Sequence, residues 1–238
     1  MKKSKRILAK GLVFLPVILF LACGGGGGGN CSDNDKDGYG QNCALGTDCD
    51  DTNPLIHPNA PESACNDIDD NCDKTEDEEE VVIFADDDLK SVIKTALSLS
   101  GDTILNTDLC GLEYLNANTK NISDLTGIEY CTALAVLYLN SNQISDISPL
   151  AYLTNLSELY LQSNTIDDIS VLEGLTELYR LELQNNQITD ITPLLNNLGI
   201  GTGDYVYLNG NLLDADDCDE IEGLVFKGVN ISHSLICP

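Results

Sequence analysis

From residue 134 the aliphatic positions recur in an order that is neither helical nor strictly alternating. Leu134, Leu137, Leu139, Ile144, Ile147, Leu150 and Leu153 are followed by Leu156, Leu159, Leu161, Ile166, Ile169, Leu172 and Leu175, and then by Leu178, Leu181, Leu183, Ile188, Ile191 and Leu194, a period of 22 residues. An asparagine keeps the same place in each unit (Asn142, Asn164, Asn186), and Asn197 stands in the last slot of the third. Upstream, Leu112, Leu115, Ala117, Ile122, Leu125, Ile128 and Cys131 hold the register, with Lys120 at the asparagine place; downstream, Val206, Leu208 and Asn211 resume it after a three-residue insertion near 199–204. Five coils are predicted. Each Leu-x-Leu puts two side chains on one side of a short strand, so stacked coils build a parallel sheet over one continuous apolar core. The asparagine column would then bond turn backbone that is otherwise buried without partners.

A solenoid leaves two open ends that must be covered. At the front, Asp86 to Leu99 carries apolar residues at 89, 92, 93, 96 and 97 behind an acidic start, a helical stripe, so 81–111 reads as an N-terminal cap. At the rear, Cys218 and Cys237 bracket a short helical stretch and Val229-x-Ile231, so 212–238 reads as a disulfide-bonded C-terminal cap, with the repeats over 112–211. Cys110 and Cys131 either pair or leave Cys131 as a core residue in a leucine slot.

Asn-x-Ile-x-Asp-Ile-x-Pro-Leu, at Asn142–Leu150 and again at Asn186–Leu194, resembles the internalin-like class of bacterial leucine-rich repeats. The fold class expected is an α/β solenoid, a leucine-rich-repeat superhelix with a parallel β-sheet on its concave face and terminal caps. The period also assigns the outward strand positions. One column is Tyr114, Val136, Glu158, Arg180 and Tyr205; the next is Asn116, Tyr138, Tyr160, Glu182 and Tyr207; a third is Asn118, Asn140, Gln162, Gln184 and Asn209. Five of the nine tyrosines fall there, which is the composition of a protein-recognition surface, although tyrosine also suits strands for their own sake.

Residues 31–80 have no such pattern. They hold sixteen Asp/Glu against Lys36 and Lys74, with five cysteines and few large aliphatics, so their order must come from disulfides, metal or both. Asp33-x-Asp35-x-Asp37-Gly38 has the alternating oxygens that wrap a hard cation, with a turn at Gly38 and a backbone carbonyl at Tyr39. Ala44 stands where an EF-hand needs its twelfth-position Glu, so the remaining oxygens are assigned to Asp48, Asp50 and Asp51. A second set, Asp69, Asn71 and Asp73 with Asp77 and Glu78, repeats the spacing. Cys43 with Cys49 and Cys65 with Cys72 are the local disulfides expected around the two loops, and Cys31 is left unplaced.

Asp33–Gly40, Asp48–Asp51, Pro58–Cys65 and Asp69–Asp73 together resemble the MopE-type metal-binding motif of bacterial surface proteins, departing from it at Lys74, where Gly is usual. The family carries a copper association. Copper favours imidazole, thioether or thiolate, whereas this segment offers one histidine, His57, and no methionine; the hard-oxygen set points to structural Ca²⁺ instead.

The first ten residues are basic and Gly11–Leu21 is an apolar run of signal length, too short to span a bilayer comfortably. Phe20-Leu21-Ala22-Cys23 resembles a bacterial lipoprotein cleavage box, which implies a signal peptide over 1–22 and acylation of Cys23, with 23–30 a glycine tether and the outer membrane as the destination. Net charge is −27, from 12 Lys and Arg against 39 Asp and Glu, and five of those cations lie in the leader. So acidic a chain excludes nucleic acid and makes the lipid its sole link to a membrane. No catalytic motif is present. The expectation is a monomeric, non-catalytic surface lipoprotein that binds a protein or glycan on its concave face above a calcium-stabilised stalk; metal handling, with the repeats as a spacer, is the alternative.

Overall fold

The computed structural model describes residues 32–63, 66, 68–75 and 79–237; Cys23, Cys31, Cys65, Asp77 and Glu78 lie outside them. From residue 31 onward the chain forms one compact unit. Six three-residue strands make a single parallel sheet in sequence order: β1 (Tyr114–Asn116), β2 (Val136–Tyr138), β3 (Glu158–Tyr160), β4 (Arg180–Glu182), β5 (Tyr205–Tyr207) and β6 (Asn230–Ser232). Leu115, Leu137, Leu159, Leu181, Val206 and Ile231 lie side by side, so the 22-residue period is the register of β1 to β4, and the steps to β5 and β6 are three residues longer. β6 is one strand more than the repeat pattern predicts. It lies in the segment read as a cap, where Val229-x-Ile231 keeps the strand after the leucine and asparagine signals have gone.

The leucine, isoleucine and valine slots of the coils merge into one core running the length of the solenoid, most of them wholly buried. On the opposite side the chain turns through short 3-10 helices (Ile128–Tyr130, Ser148–Tyr152, Ser170–Glu173) and the helix α3 (Thr192–Asn196) (α1 and α2 are in the N-terminal cap, below). Asp124, Asp146, Asp168 and Asp190 each accept the backbone N–H two residues on, all at 2.8 Å, and so start these turns.

Each column asparagine ties two coils together. Asn164 accepts the Ile144 N–H and donates to the carbonyls of Leu139 and Leu161; Asn186 and Asn211 repeat this one and two coils later. Asn197, the exception to the leucine pattern, is wholly buried and holds the insertion in place. Its amide donates to Leu172 and Leu175 carbonyls at 2.6 and 3.0 Å, and its oxygen accepts the N–H groups of Gly199 and Ile200. Gly199 passes so close to Thr176 that a Cβ there would sit 1.7 Å from its carbonyl oxygen.

The front end carries α1 (Asp87–Ala96), whose Leu89 and Ile93 pack on the core, and the one-turn α2 (Asn106–Leu109). Asp86 caps α1 through the N–H groups of Asp88 and Leu89, and its second oxygen accepts the Ser123 N–H of the first coil. At the rear, α4 (Cys218–Phe226) closes the core with Ile221 and Leu224 buried, and Lys227 Nζ donates to the carbonyls of Leu195 and Asn197.

The cysteines correct one expectation. Cys49 bonds Cys72 across the two acidic loops, so neither Cys43–Cys49 nor Cys65–Cys72 forms. Cys72 has φ 61°, in the left-handed region, which turns it out of its own loop toward the Asp48–Cys49 segment. Cys43 and Cys110 are also disulfide-bonded, Cys218 bonds Cys237 as expected, and Cys131 is free and wholly buried, a core residue.

Removing the Asn164 amide leaves the Ile144 N–H buried between coils without its partner, while the Leu139 and Leu161 carbonyls keep the amides of Asn142 and Asn186. At roughly 1–3 kcal/mol for an unsatisfied group, Asn164→Ala is expected to lower the unfolding free energy by about 2 kcal/mol, read as a lower urea midpoint.

Candidate functional site

The acidic segment folds around carboxylates. Asp33 accepts the Lys36 N–H at 2.6 Å and the Gly38 N–H at 3.1 Å; Asp35 accepts from Asp37, Asp37 from Tyr39 at 2.7 Å, and Asp48 from Asp50 at 2.9 Å. In each of Asp35, Asp37 and Asp48 this uses Oδ1, and the Oδ2 is buried with no hydrogen-bond partner. Carboxylate oxygens of Asp33, Asp35 and Asp37 lie within 4.8 Å of one another. Burial, then the charges of Asp37, Asp48 and Asp33, holds the Asp35 carboxyl above its ordinary range; burial and the charges of Asp48 and Asp33 do the same to Asp37. Orphaned, mutually repelling oxygens of this kind fit a hard divalent cation, the group that would satisfy all of them at once. Asp33, Asp35, Asp37 and Asp48 would hold it.

Asp50 and Asp51, assigned by spacing to the same set, also make hydrogen bonds within the segment. Asp50 accepts both donors of Thr52, and Asp51 clasps Asn34 through its N–H at 3.1 Å and its side-chain amide at 2.6 Å. Gly40 stands at φ 134° where a Cβ would meet the Ser32 carbonyl at 2.2 Å, so the chain recrosses itself here as only glycine allows.

The second loop repeats the backbone of the first. Asp69 accepts the N–H groups of Asp73 and Lys74, Asn71 also accepts from Asp73, and Asp73 accepts from Thr75. Cys72 and Lys74 have φ 61° and 81°, matching Lys36 and Gly38 at 71° and 98°. The turn therefore forms with Lys74 in the position usually given to glycine. Among the described residues, no cluster of facing carboxylates forms around this loop.

The sheet brings the predicted outward columns together. Tyr138 and Tyr160 stack at 4.2 Å, 7° from parallel, and Tyr114 tilts against Tyr138 at 5.7 Å. Arg180 continues the row, its guanidinium 5.6 Å from the Tyr160 ring and 5.4 Å from the Tyr207 ring, while pairing with Glu182 at 2.6 Å. Glu158 accepts from the Tyr160 hydroxyl and, at 2.5 Å, from the Tyr179 hydroxyl, and these two bonds hold its carboxyl below the usual range.

The middle of the face is thus occupied by its own contacts. Tyr160 is 9% exposed, shut between Tyr138 and Arg180, whereas Tyr114 and Tyr205 are 53% and 43% exposed. Asn140 likewise spends its side-chain oxygen on the Gln162 N–H, and Asn116 spends its own on the Asn118 N–H. Gln184 has a buried, unpartnered Oε1 beside them. Tyr179, which the columns omit, sits one residue before β4 and is 45% exposed.

The family model described as "Leucine Rich repeats (2 copies)" matches residues 110–152 and 154–196, and the one described as "Putative metal-binding motif", of MopE type, matches 48–78. An internalin (inlF) from Listeria monocytogenes superposes with a TM-score of 0.52 at 30% identity, over 65% of this chain and 52% of its own. The functional domain of InlJ from the same organism gives 0.48 at 32% identity, over 55% and 28%. The chain therefore spans about half the length of the first of these internalins and less of the second. No curated protein matches it. The chain is a leucine-rich-repeat solenoid with internalin structures as neighbours, and it carries a MopE-type metal-binding motif ahead of its repeats. No helix among the described residues is long and apolar enough to cross a membrane.

Because tyrosine hydroxyls depress the Glu158 pKa, the stability they confer is complete above the unfolded value of about 4.3 and is lost as pH falls through the lower folded value. Tyr160→Phe removes the first of the two donors, so NMR titration should show the Glu158 carboxyl moving up toward the ordinary range.

Proposed function

We propose that this chain is a non-catalytic binding protein of the bacterial envelope, tethered through Cys23, that engages a protein partner on the concave face of its repeats. The observation that carries the reading is the row Tyr114–Tyr138–Tyr160–Arg180–Tyr207: a rigid aromatic strip fixed by stacking, with its exposed tyrosine at one end and Tyr205 beside the other. Ordered rings give contact area at low entropic cost. The central residues serve as framework, and Tyr114, Tyr205 and Tyr179 are the surface that a partner meets. Tyr114→Ala with Tyr205→Ala should reduce adhesion at least tenfold without changing the unfolding midpoint, whereas Tyr160→Ala should weaken both.

The acidic loops hold structural calcium in this reading. The facing donors of Asp33, Asp35 and Asp37 are all carboxylate oxygens, the sulfurs beside Asp48 are tied up in the Cys49–Cys72 disulfide, and His57 has both ring nitrogens engaged, Nδ1 with the Pro58 carbonyl at 3.1 Å and Nε2 with the Tyr152 hydroxyl at 3.4 Å. A copper site would lack the imidazole it favours. Calorimetric titration of the disulfide-intact chain with Ca²⁺ and then Cu²⁺ is expected to show saturable calcium binding that Asp35→Ala removes, and weak copper. Tight copper binding insensitive to that substitution would instead support metal handling.

A further inference from the structure

The acidic segment packs on the flank of the solenoid, and its contacts run back to the carboxylate cluster. Asp37 holds the Tyr39 N–H through Oδ1 while its Oδ2 stays buried without a partner. The Tyr39 ring, further fixed by the Asn59 amide at 3.1 Å, stacks on His57 at 4.7 Å and 6°. A carbonyl can only accept, so the His57 Nδ1 donates to the Pro58 carbonyl at 3.1 Å, and Nε2 and the Tyr152 hydroxyl share a hydrogen bond at 3.4 Å. Tyr152 closes the 3-10 turn of the second coil and is largely buried, its hydroxyl pushed up to about 12 chiefly by that burial.

A second line of contacts runs parallel to the first. Tyr130, 22 residues before Tyr152 and in the same repeat column, donates to Glu80 at 3.5 Å, and Ser63 and Thr132 share a hydrogen bond at 3.0 Å. Asn106 is buried, donates to the Glu62 carbonyl and accepts the Glu80 N–H. These bonds join the segment to α2 and the first coil without passing through the carboxylates. The path Asp37–Tyr39–His57–Tyr152 links the cluster to the second coil.

We propose that a divalent cation in the Asp33–Asp48 loop is the fastener of this flank, so that its occupancy sets the local stability of the second coil. The inference rests on the cation-binding reading above. With no cation the facing carboxylates repel and loosen the loop that positions Tyr39; with one, the Tyr39–His57 stack and the bond to Tyr152 are held. A ligand that binds only the docked form stabilises it by mass action, about a hundredfold in the docked-to-open ratio at a hundred times the dissociation constant.

The test is hydrogen exchange on the disulfide-intact chain in excess EDTA and in excess Ca²⁺, alongside calcium titration of the same samples. Calcium should slow exchange at Leu150 and Leu153, whose N–H groups bond Ile147 and Leu150 in the second coil, at least tenfold, and leave Leu208 near β6 little changed. His57→Ala should keep calcium affinity within about threefold yet abolish that protection, and Tyr152→Phe, which keeps the packed ring, should weaken it. Calcium binding with equal protection of the second coil in wild type and His57→Ala would overturn the inference and leave the cation reading standing. Absence of calcium binding in the wild type would overturn the reading itself, and the inference with it.

Discussion

A solenoid reverses its chain several times per coil around an apolar core, and every reversal buries peptide groups that must find partners. The asparagine column is what meets this constraint here. A carboxamide is the smallest side chain that can accept from one coil while donating to two carbonyls, and Asn164, Asn186 and Asn211 each do so across the boundary between neighbours. A leucine there would fill the space, leave the buried N–H unpaired and take one of the two asparagine donors from each shared carbonyl; an aspartate could not donate. The strands are only three residues long, so the ladder of asparagines, and not the ladder of the sheet alone, keeps successive coils in register. The concave columns are straight because this internal column is.

How much of this is legible in the chain depends on whether the information is periodic. The fold is, since hydrophobic slots and asparagines recur every 22 residues and the register of β1 to β5 follows by counting. β6 is missed because its coil retains only Val229 and Ile231 of the pattern. Asn197 reads as a defect from the sequence, yet it is the residue that permits the insertion, a role visible only once Gly199 and Ile200 are seen to donate to it. The cysteine pairing fails for another reason: proximity along the chain favours Cys43–Cys49 and Cys65–Cys72, but the positive φ of Cys72 points it elsewhere.

The candidate site divides in the same way. Alternating aspartates announce Asp33, Asp35 and Asp37, and the need for a fourth oxygen from downstream leads to Asp48, but spacing cannot tell that Asp51 bonds Asn34 through both oxygens or that Asp50 bonds Thr52 through one. On the concave face, counting places Tyr138 beside Tyr160 and Tyr160 beside Arg180's strand; it does not reveal that such neighbours, a strand spacing apart, close on each other and expose edges more than faces. A signal that was present and unread is the pair Tyr130 and Tyr152. Tyrosine occupies that column in the first two coils, and Gly174 and Asn196 follow in the next two. The change of residue type along an otherwise regular column marks where the acidic segment lies.

That docking bears on how a chain with so few aliphatics in residues 31–80 is ordered at all. The segment has a small apolar contribution of its own, with Ile56 and Ala60 buried, and Glu62 is buried while accepting the Asn71 N–H at 3.2 Å. Its shape comes from carboxylates bonding backbone N–H groups, from the Cys49–Cys72 link between its two loops, and from the flank of the first coils. Carboxylates used in this way carry a cost, because each brings a second oxygen and a full charge into a crowded loop. A hard cation bound there, as proposed, would offset that cost by attracting the oxygens that the backbone leaves unused. An acidic segment built in this manner takes from the solenoid the surface that its own few aliphatics cannot supply, and in the proposed reading it would take its counter-charge from the solution.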